Sequence, residues 1–343
     1  MQGEVMPRPL RVEYEGARYH VMCRGNRGQS VFETDDDVGL FLKTLGEAVE
    51  RTELIVHSYV LMKTHYHLLI ETPCGNLVEA MKWLQGAFTQ RMNAMHHTWG
   101  HLFQGRYKAK VIEQAEPEYF RRVSNYIHLN PAAAGLAGHP QGNPLEAYTW
   151  SSYPYYIKAP SKRPPWLQVA ELLGHHGLSD SISGRKRYGQ LMGALAEDAA
   201  SDLKGYADSP ENRGMERGWV HGSKAFRQEI AEQMAQGDLS DYHGVYDASQ
   251  KRDLSEQAAE QDIEKDFRLF GINSTTLPER PKNDEIKVIV AAYIKRYYPL
   301  QNKQISEMLS MGHPTSISRC RAMVEENKVM KKQYEKLCRC LNK

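Results

Sequence analysis

The residues whose types and spacing best suit chemistry are His65 and His67, two histidines separated by one residue. The run over residues 65–71 has strand composition, and strand side chains alternate between two faces. The two imidazoles therefore point the same way, about 7 Å apart, and can converge on one divalent ion. The chain has 14 histidines, so two ordinary strand histidines are the simpler interpretation of this pair taken alone.

A second chemical pair is Tyr126 and Asn130, which fall at positions i and i+4 of a predicted helix and share one face. An amide oxygen is a hard ligand suited to Mg²⁺ or Mn²⁺. Two imidazoles and one amide leave coordination positions open for phosphate oxygens. A phenol can attack phosphorus and form a covalent ester. The alternative is that Tyr126 packs in a core and that Asn130 ends the helix before Pro131.

The elements that must position these groups follow a recognisable order. Hydrophobic periodicity and turn residues indicate a strand, a helix, two strands, a helix, a strand and a further helix. This order is typical of an antiparallel, ferredoxin-like (split βαβ) sheet with an added helix, so the predicted fold class is α+β. The predicted elements span residues 19–23, 35–49, 55–62, 65–71, 77–95, 102–112 and 117–130.

Composition excludes several classes of protein. With 343 residues and 41% hydrophobic residues, the chain can bury a sizeable core and is not disordered. No apolar run approaches the ~20 residues that cross a bilayer. The five cysteines are too few and too irregular for a disulfide or zinc framework. We expect a bacterial cytoplasmic, nucleoid-associated protein.

The net charge of +2 is unevenly distributed. Residues 1–200 hold 21 basic and 20 acidic residues, residues 201–283 hold 11 and 16, and residues 284–343 hold 12 and 6. A basic end segment suits nucleic-acid binding, although a solvated helical surface gives the same count. We predict a catalytic domain over 1–157, a helical extension over 158–236, an acidic connector over 237–283 and a mostly α-helical DNA-binding domain over 284–343.

Five short runs in the first half of the chain occur together and in order. They are residues 19–27 with Val31-Phe32, residues 59–73, residues 100–108, residues 126–131 and residues 150–153. At these runs the sequence resembles the one-tyrosine HUH transposases of the IS200-like family, in particular the REP-associated tyrosine transposases of bacterial chromosomes. The resemblance covers about residues 7–157.

The resemblance implies a single-stranded DNA nuclease and strand transferase that acts at hairpins of repetitive palindromic elements through a 5′-phosphotyrosine. It implies that His65 and His67 bind Mg²⁺ or Mn²⁺, that Asn130 is the third ligand and that Tyr126 is the nucleophile. It leaves open a monomer or a homodimer. The chain departs from the usual family pattern at Thr64, where Asn is common, and at Ala133, where Arg is common.

Basic and aromatic residues suggest a path for the DNA. Arg106, Lys108 and Lys110 alternate on a predicted strand and would share a face, although such charges also protect a solvated strand edge. Phe103 and Tyr107 would be available to stack on bases. The further candidates are Arg24 and Arg27 in the first run and Arg121 and Arg122 on the helix of Tyr126.

The last sixty residues resemble the helix-turn-helix domain of the bacterial replication initiator. A helix rich in Ser, Thr and Arg suits entry into the major groove of duplex DNA. A structural cap or a dimer contact would use the same pattern. The residues predicted to contact DNA are Thr315, Ser316, Ser318, Arg319 and Arg321, and the residues predicted to form the small core are Ile305, Leu309, Ile317 and Val324.

Two other functions fit parts of the pattern. A DNA-binding regulator would retain the transposase fold without turnover. A metal-dependent phosphodiesterase would act on a small substrate, but the sequence lacks the second His-x-Thr/Ser motif expected of that class. The joint presence of two histidines, a tyrosine and an asparagine at these positions favours the transposase.

Overall fold

The computed structural model describes residues 12–138, 142–209, 212, 214–215, 218–236, 259, 279–298 and 300–340. These residues fall into two compact units, one within residues 10–244 and one within residues 245–343. Most of the predicted acidic connector, 237–283, lies outside the described residues. The domain boundaries after residues 157, 236 and 283 stay predictions.

The first unit is built on a mixed sheet, and among the described residues this sheet has five strands in the order β2-β3-β1-β4-β5. The first four strands pair antiparallel, and β5 adds to β4 in parallel. Leaving β5 aside, this is the strand order of the predicted ferredoxin-like fold, and the α+β class is confirmed. The strands are β1 Ala17–Arg24, β2 Ile55–Met62, β3 His65–Thr72, β4 Lys108–Ile112 and β5 Val220–His221.

Helices cover both faces of this sheet. Short 3₁₀ helices at Asn26–Gly28, Leu145–Ala147 and Pro160–Lys162 lie in the connections. The α-helices of the first unit are α1 Asp35–Thr52, α2 Leu77–Met95, α3 Pro117–Ala133, α4 Tyr153–Ile157, α5 Ala170–His175, α6 Ile182–Ser201, α7 Leu203–Asp208 and α8 Lys224–Gln236.

The alternation of β3 separates an apolar face from a polar face. Tyr66 points to the apolar face, where its ring packs 5.1 Å from Phe41 of α1. Phe88 of α2 completes this cluster, 5.0 Å from Phe41 between ring centroids. His65, His67 and the other odd-numbered residues of β3 point to the opposite face, which α3 covers. One strand therefore contributes to the core and to the candidate site.

Two of the element boundaries that differ from those predicted bear on the candidate site. The strand predicted over 102–112 begins only at Lys108, because Gly105 adopts a φ of 70°, which interrupts extended backbone. Phe103 forms only an isolated bridge with Gly25. The helix predicted to end at Asn130 continues to Ala133, because a proline in the last turn removes one helical hydrogen bond without ending the helix.

Buried hydrogen bonds fix α3 in its place. His128 Nδ1 lies 2.8 Å from Tyr188 Oη of α6, and His128 Nε2 lies 2.9 Å from Ser152 Oγ. Ser152 Oγ also donates to the carbonyl of Tyr59 on β2 over 3.1 Å. Burial lowers the pKa of His128 to about 3, so the ring is neutral. The helix that carries Tyr126 is thereby tied to both β2 and α6.

The second unit is helical where it is described. Its helices are α9 Glu285–Tyr297, α10 Asn302–Met308, α11 Thr315–Glu326 and α12 Lys328–Cys340. The predicted core residues Ile305, Leu309, Ile317 and Val324 are all buried, as predicted. Residues 309–314 connect α10 to α11. Within the described parts of both units, no helix is long and apolar enough to cross a membrane.

Asp37 is a buried carboxylate that organises the start of α1. Its Oδ2 accepts from the backbone N–H groups of Glu33 and Thr34 over 2.8 and 3.0 Å. Its Oδ1 lies 2.6 Å from His96 Nε2. Burial raises the pKa of Asp37, but the hydrogen bonds from Glu33, His96 and Thr34 outweigh burial and leave the pKa below its usual value.

We expect Asp37→Asn to lower the free energy of unfolding at pH 7 by about 1.5–3 kcal/mol, the range for hydrogen bonds to a charged group. A depressed carboxyl pKa stabilises the fold above the unfolded pKa of about 3.9, and this stability is lost as pH falls through the folded pKa. Urea unfolding at several pH values should therefore show the two proteins converging below about pH 4. Asp36→Asn, at an exposed neighbour, is the control. An equal deficit at pH 7 and pH 3 would contradict the prediction.

Candidate active site

The two histidines of β3 lie side by side on the polar face of the sheet. The ring centroids of His65 and His67 are 5.1 Å apart, and the rings are nearly perpendicular. His67 is buried, whereas His65 is half-buried at the start of the strand. Thr64 Oγ1 lies 3.1 Å from His65 Nδ1. The site thus opens towards the end of the sheet at which β3 begins.

Tyr126 meets these histidines from α3. Its ring lies edge-on to His67, with 5.5 Å between centroids, and 5.8 Å from the ring of His20. Tyr126 is half-buried. Asn130 follows one turn later on α3 and is also half-buried. The structure therefore brings Tyr126 against His67, and the helix places Asn130 on the same side as Tyr126.

The chemistry of His67 suits a metal ligand. Its Nε2 is buried and has no hydrogen-bond partner among the described residues, whereas its Nδ1 lies 2.9 Å from His20 Nε2. Burial lowers the pKa of His67, and the neighbouring His20, His65 and Arg24 lower it further. A neutral imidazole with one uncommitted nitrogen is the form that binds a divalent ion. His67 therefore fits its predicted role as a ligand of Mg²⁺ or Mn²⁺.

His20, which contacts His67, and His221, which contacts His20, were not predicted as site residues. His20 lies on β1, on the same face as His67, and its Nδ1 lies 3.2 Å from His221 Nε2. The rings of His20 and His221 stack with 5.4 Å between centroids. Burial is the main cause that lowers the pKa of each of these two histidines. His20 lies within the first run of the resemblance, but nothing local to the sequence indicated His221.

Several predicted DNA-contacting cations are exposed near the site. Arg24 ends β1 opposite His65 in the strand register. Arg27 is exposed in the short 3₁₀ helix and adopts a φ of 53°. Arg106 and Lys108 are exposed at the start of β4. These charges lie on the elements that border the site, where they can contact phosphates.

Lys110 does not lie on this exposed surface, contrary to prediction. It shares the His20 face through its pairing with His20, but only 3% of it is exposed. Its Nζ donates to the carbonyl of Gly214 over 2.7 Å. Burial, with a contribution from Arg227, lowers the pKa of Lys110 to about 7. A segment about a hundred residues further along the chain covers this side chain, which strand periodicity cannot reveal.

Phe103 and Tyr107 are also buried, so the prediction that both rings can stack on bases is wrong in this structure. Phe103 packs 5.7 Å from Tyr66, and the Tyr107 hydroxyl donates to the carbonyl of Leu77 over 3.5 Å. The exposed ring in this region is Trp99, with 91% of its surface accessible. Trp99 lines a cavity of about 390 Å³ together with residues 29–31, 33, 37, 92–93, 96, 98 and 100–102.

The two arginines on α3 have different surroundings. Arg121 forms an ion pair with Glu118 one turn earlier on the same helix. Arg122 is half-buried, and its charge contributes to lowering the pKa of His221. Their shared helix places them near Tyr126, but Arg121 is engaged by an acidic neighbour.

A different cluster has the composition of a metal site. Among the described residues, one group of His, Cys, Asp and Glu side chains has ligand atoms within 4.8 Å of one another: His57, Glu71 and Glu171. Arg18 bonds both carboxylates, with its Nε 2.9 Å from Glu71 Oε2. The guanidinium thus supplies the positive charge that the two carboxylates require, and the cluster ties α5 to the sheet.

The predicted DNA-contacting residues of the second unit lie on α11. Thr315, Ser318, Arg319 and Arg321 are exposed, and Ser316 is half-buried. Asn302 Nδ2 of α10 donates to Ser318 Oγ over 2.8 Å. The opposite side of α11 carries the buried residues of the core, so the polar face is turned to solvent.

Comparison with known proteins finds a family model that matches part of the first unit. Residues 13–130 match the family model described as "Transposase IS200 like". A solved structure of "the REP associates tyrosine transposase bound to a REP hairpin" is similar with 14% identity and a TM-score of 0.38, over 48% of this chain and 92% of that chain. A putative transposase from Deinococcus radiodurans is similar with 22% identity and a TM-score of 0.26, over 29% and 83%. No curated protein matches the sequence.

The buried Lys110 gives a pH-dependent prediction. Its pKa of about 7 lies below the unfolded value of about 10.4, so between these values the unfolded chain binds more protons. The stability of the wild type relative to Lys110→Met should then rise with pH from 7 to 10, by up to about 1.4 kcal/mol per pH unit. Urea unfolding across this range measures the difference, and Lys108→Met is the exposed control. A flat difference would contradict the burial of an ionisable amine.

Proposed function

Because residues 13–130 match the model of the IS200-like transposase family, we propose that this chain is a single-stranded DNA endonuclease and strand transferase that acts beside hairpin repeats. The observation that carries the proposal is the contact between Tyr126 and His67, whose ring centroids lie 5.5 Å apart. A potential nucleophile from α3 and a potential metal ligand from β3 thus meet at one point on the polar face of the sheet.

We assign the metal site to His65, His67 and Asn130. The support is the buried Nε2 of His67, which lacks a partner among the described residues, and the position of Asn130 one turn from Tyr126. Two imidazoles and an amide oxygen suit Mg²⁺ or Mn²⁺ and leave room for phosphate oxygens. When bound, the ion polarises the scissile phosphate and neutralises the charge that develops on it.

In the proposed reaction, the phenol of Tyr126 is the nucleophile that cleaves the DNA strand. Tyr126 Oη attacks the phosphorus of the scissile phosphate, and the bond from phosphorus to the 3′ oxygen breaks. The phenol proton leaves to solvent, and the departing 3′ oxygen takes up a proton to become a 3′-hydroxyl. The 5′ end remains as a phosphotyrosine. A 3′-hydroxyl from another end then attacks this ester, restores a phosphodiester and releases Tyr126, so that joining requires no nucleotide cofactor.

We propose that single-stranded DNA approaches along the exposed cations beside the site. Arg24 at the end of β1, Arg27 after it, and Arg106 and Lys108 at the start of β4 are placed to contact phosphates without reading sequence. Trp99 replaces the buried Phe103 and Tyr107 as the ring on which a base can stack. We take the ligand to be the foot of a DNA hairpin, in line with the resemblance of the five sequence runs.

For the second unit we propose binding of duplex DNA through the exposed face of α11. The residues on this face are polar or basic, whereas the buried side of the same helix packs in the core of the unit. A helix with hydroxyls and arginines on one face has the chemistry to contact base edges and phosphates in the major groove. This unit would raise the affinity of the whole chain for DNA.

We expect Tyr126→Phe to abolish covalent DNA attachment, because phenylalanine keeps the ring against His67 but lacks the attacking oxygen. The measurement is a denaturant-resistant protein–DNA adduct formed with a hairpin oligonucleotide and Mn²⁺ or Mg²⁺. Tyr119→Phe, on the same helix, is the matched control and should form the adduct at the wild-type rate.

The outcomes separate the competing functions. Absence of an adduct with the wild-type protein in both metals would favour a DNA-binding regulator without turnover. Hydrolysis of small phosphodiesters that survives Tyr126→Phe would favour the phosphodiesterase. Either result would contradict the proposed transferase.

For α11, we expect Arg319→Ala with Arg321→Ala to weaken duplex binding and to reduce the slope of log K against log salt by about 1.8, or about 0.9 for each lost phosphate contact. The control is Lys332→Ala with Lys336→Ala, which removes the same charge from an exposed part of α12. Adduct formation on a short hairpin should be unchanged by either pair. Equal loss of duplex affinity in both pairs would show that only net charge matters.

A further inference from the structure

His221, which lies outside the family match, reaches the histidines beside the candidate metal ligand His67. The match ends at residue 130, yet β5 brings His221 alongside β4. Backbone hydrogen bonds hold β5 in place, since the amide of Glu113 donates to the carbonyl of His221 over 2.8 Å and the amide of Val111 donates to the carbonyl of Trp219 over 3.0 Å. This added strand turns the His221 imidazole towards His20.

The three imidazoles form a continuous buried chain. His67 Nδ1 lies 2.9 Å from His20 Nε2, and His20 Nδ1 lies 3.2 Å from His221 Nε2. His20 is fully buried, and His67 and His221 are 1% and 9% exposed. Both contacts lie within hydrogen-bond range, and each nitrogen of His20 faces a nitrogen of a different ring.

In this series of three hydrogen-bonded imidazoles, the nitrogen that carries the proton on one ring fixes the nitrogen that carries it on the next. A neutral imidazole has one N–H donor and one acceptor nitrogen. If His67 is to offer a bare Nε2 to an ion, its proton must lie on Nδ1 and be donated to His20 Nε2. His20 then carries its own proton on Nδ1 and donates it to His221 Nε2. The reverse order would place a proton on His67 Nε2 and block the ligand position.

We propose that His20 and His221 are positioning residues that hold His67 in its Nδ1–H tautomer and so present Nε2 to the metal ion. As the last ring of the series, His221 offers Nε2 as the acceptor for His20, so that each ring donates its proton towards His221. This inference rests on the proposed use of His67 as a metal ligand. It gives the segment that ends in β5 a role in the chemistry of the first unit, in addition to covering Lys110.

The test compares two substitutions of His221 in the full-length protein. His221→Phe keeps a flat ring but removes the acceptor, whereas His221→Gln restores an acceptor oxygen. Val220→Ala is the matched packing control, because it trims the neighbouring buried side chain of β5, which points to the opposite face. Thermal unfolding of each variant reports whether the fold is kept.

Two readouts are independent of DNA cleavage. Long-range ¹H–¹⁵N correlation spectra of metal-free, ¹⁵N-histidine-labelled protein report the tautomer of His67, with signals assigned through His67→Gln. Titration with Mn²⁺ followed by electron paramagnetic resonance gives the affinity. We expect His221→Phe to lose the unique Nδ1–H pattern and to weaken Mn²⁺ binding about 10-fold or more, as outer-shell substitutions do. His221→Gln and Val220→Ala should stay close to the wild type.

The failure of the inference is distinguishable from the failure of the proposed function. An unchanged His67 tautomer and an unchanged Mn²⁺ affinity in His221→Phe would overturn the positioning role while leaving the metal site intact. Equal weakening in His221→Phe and Val220→Ala would reduce the role of His221 to packing and also overturn it. Wild-type protein that binds no Mn²⁺ at His67 would overturn the metal assignment itself, and the inference with it.

Discussion

The candidate site depends on the rotational setting of α3 above the sheet. A helix advances by about 100° per residue, so Tyr126 and His128 project roughly 200° apart around it. His128 is held by Tyr188 and Ser152, and this leaves Tyr126 to face His67. A helix turned by one residue would contain the same side chains, but the phenol would no longer meet the imidazole. The hydrogen bonds of His128 on one side of α3 thus determine that Tyr126, on the other side, contacts His67.

The polar face of the sheet imposes a second requirement. Arg18, His20, Glu71 and Lys110 all point to this face, and buried polar groups need partners. The partners come from residues far along the chain, as the contact of Lys110 with the Gly214 carbonyl shows. The segment beyond the family match therefore belongs to the same compact unit. Its backbone and side-chain groups satisfy polar side chains of the sheet that residues 13–130 alone would leave without these partners.

Much of this structure could be predicted from local sequence. The second strand and the second helix begin and end at the predicted residues, because a short run of strand-forming residues closed by a turn indicates the strand and apolar residues at helical spacing indicate the helix. The sequence failed where burial depends on distant segments. Phe103 looked available on a strand edge but packs against Tyr66. Gly105, with its positive φ, interrupts the predicted strand, so that β4 begins only at Lys108.

By itself, the sequence determined which side chains share a face. A period of two places His65 beside His67, and a spacing of four places Asn130 beside Tyr126, since both rules act within one element. Only the tertiary structure decided that Tyr126 meets His67 and that His221 meets His20 across 201 residues of chain. Those contacts depend on strand order, register and helix rotation. These are set by packing between elements, which local periodicity does not encode.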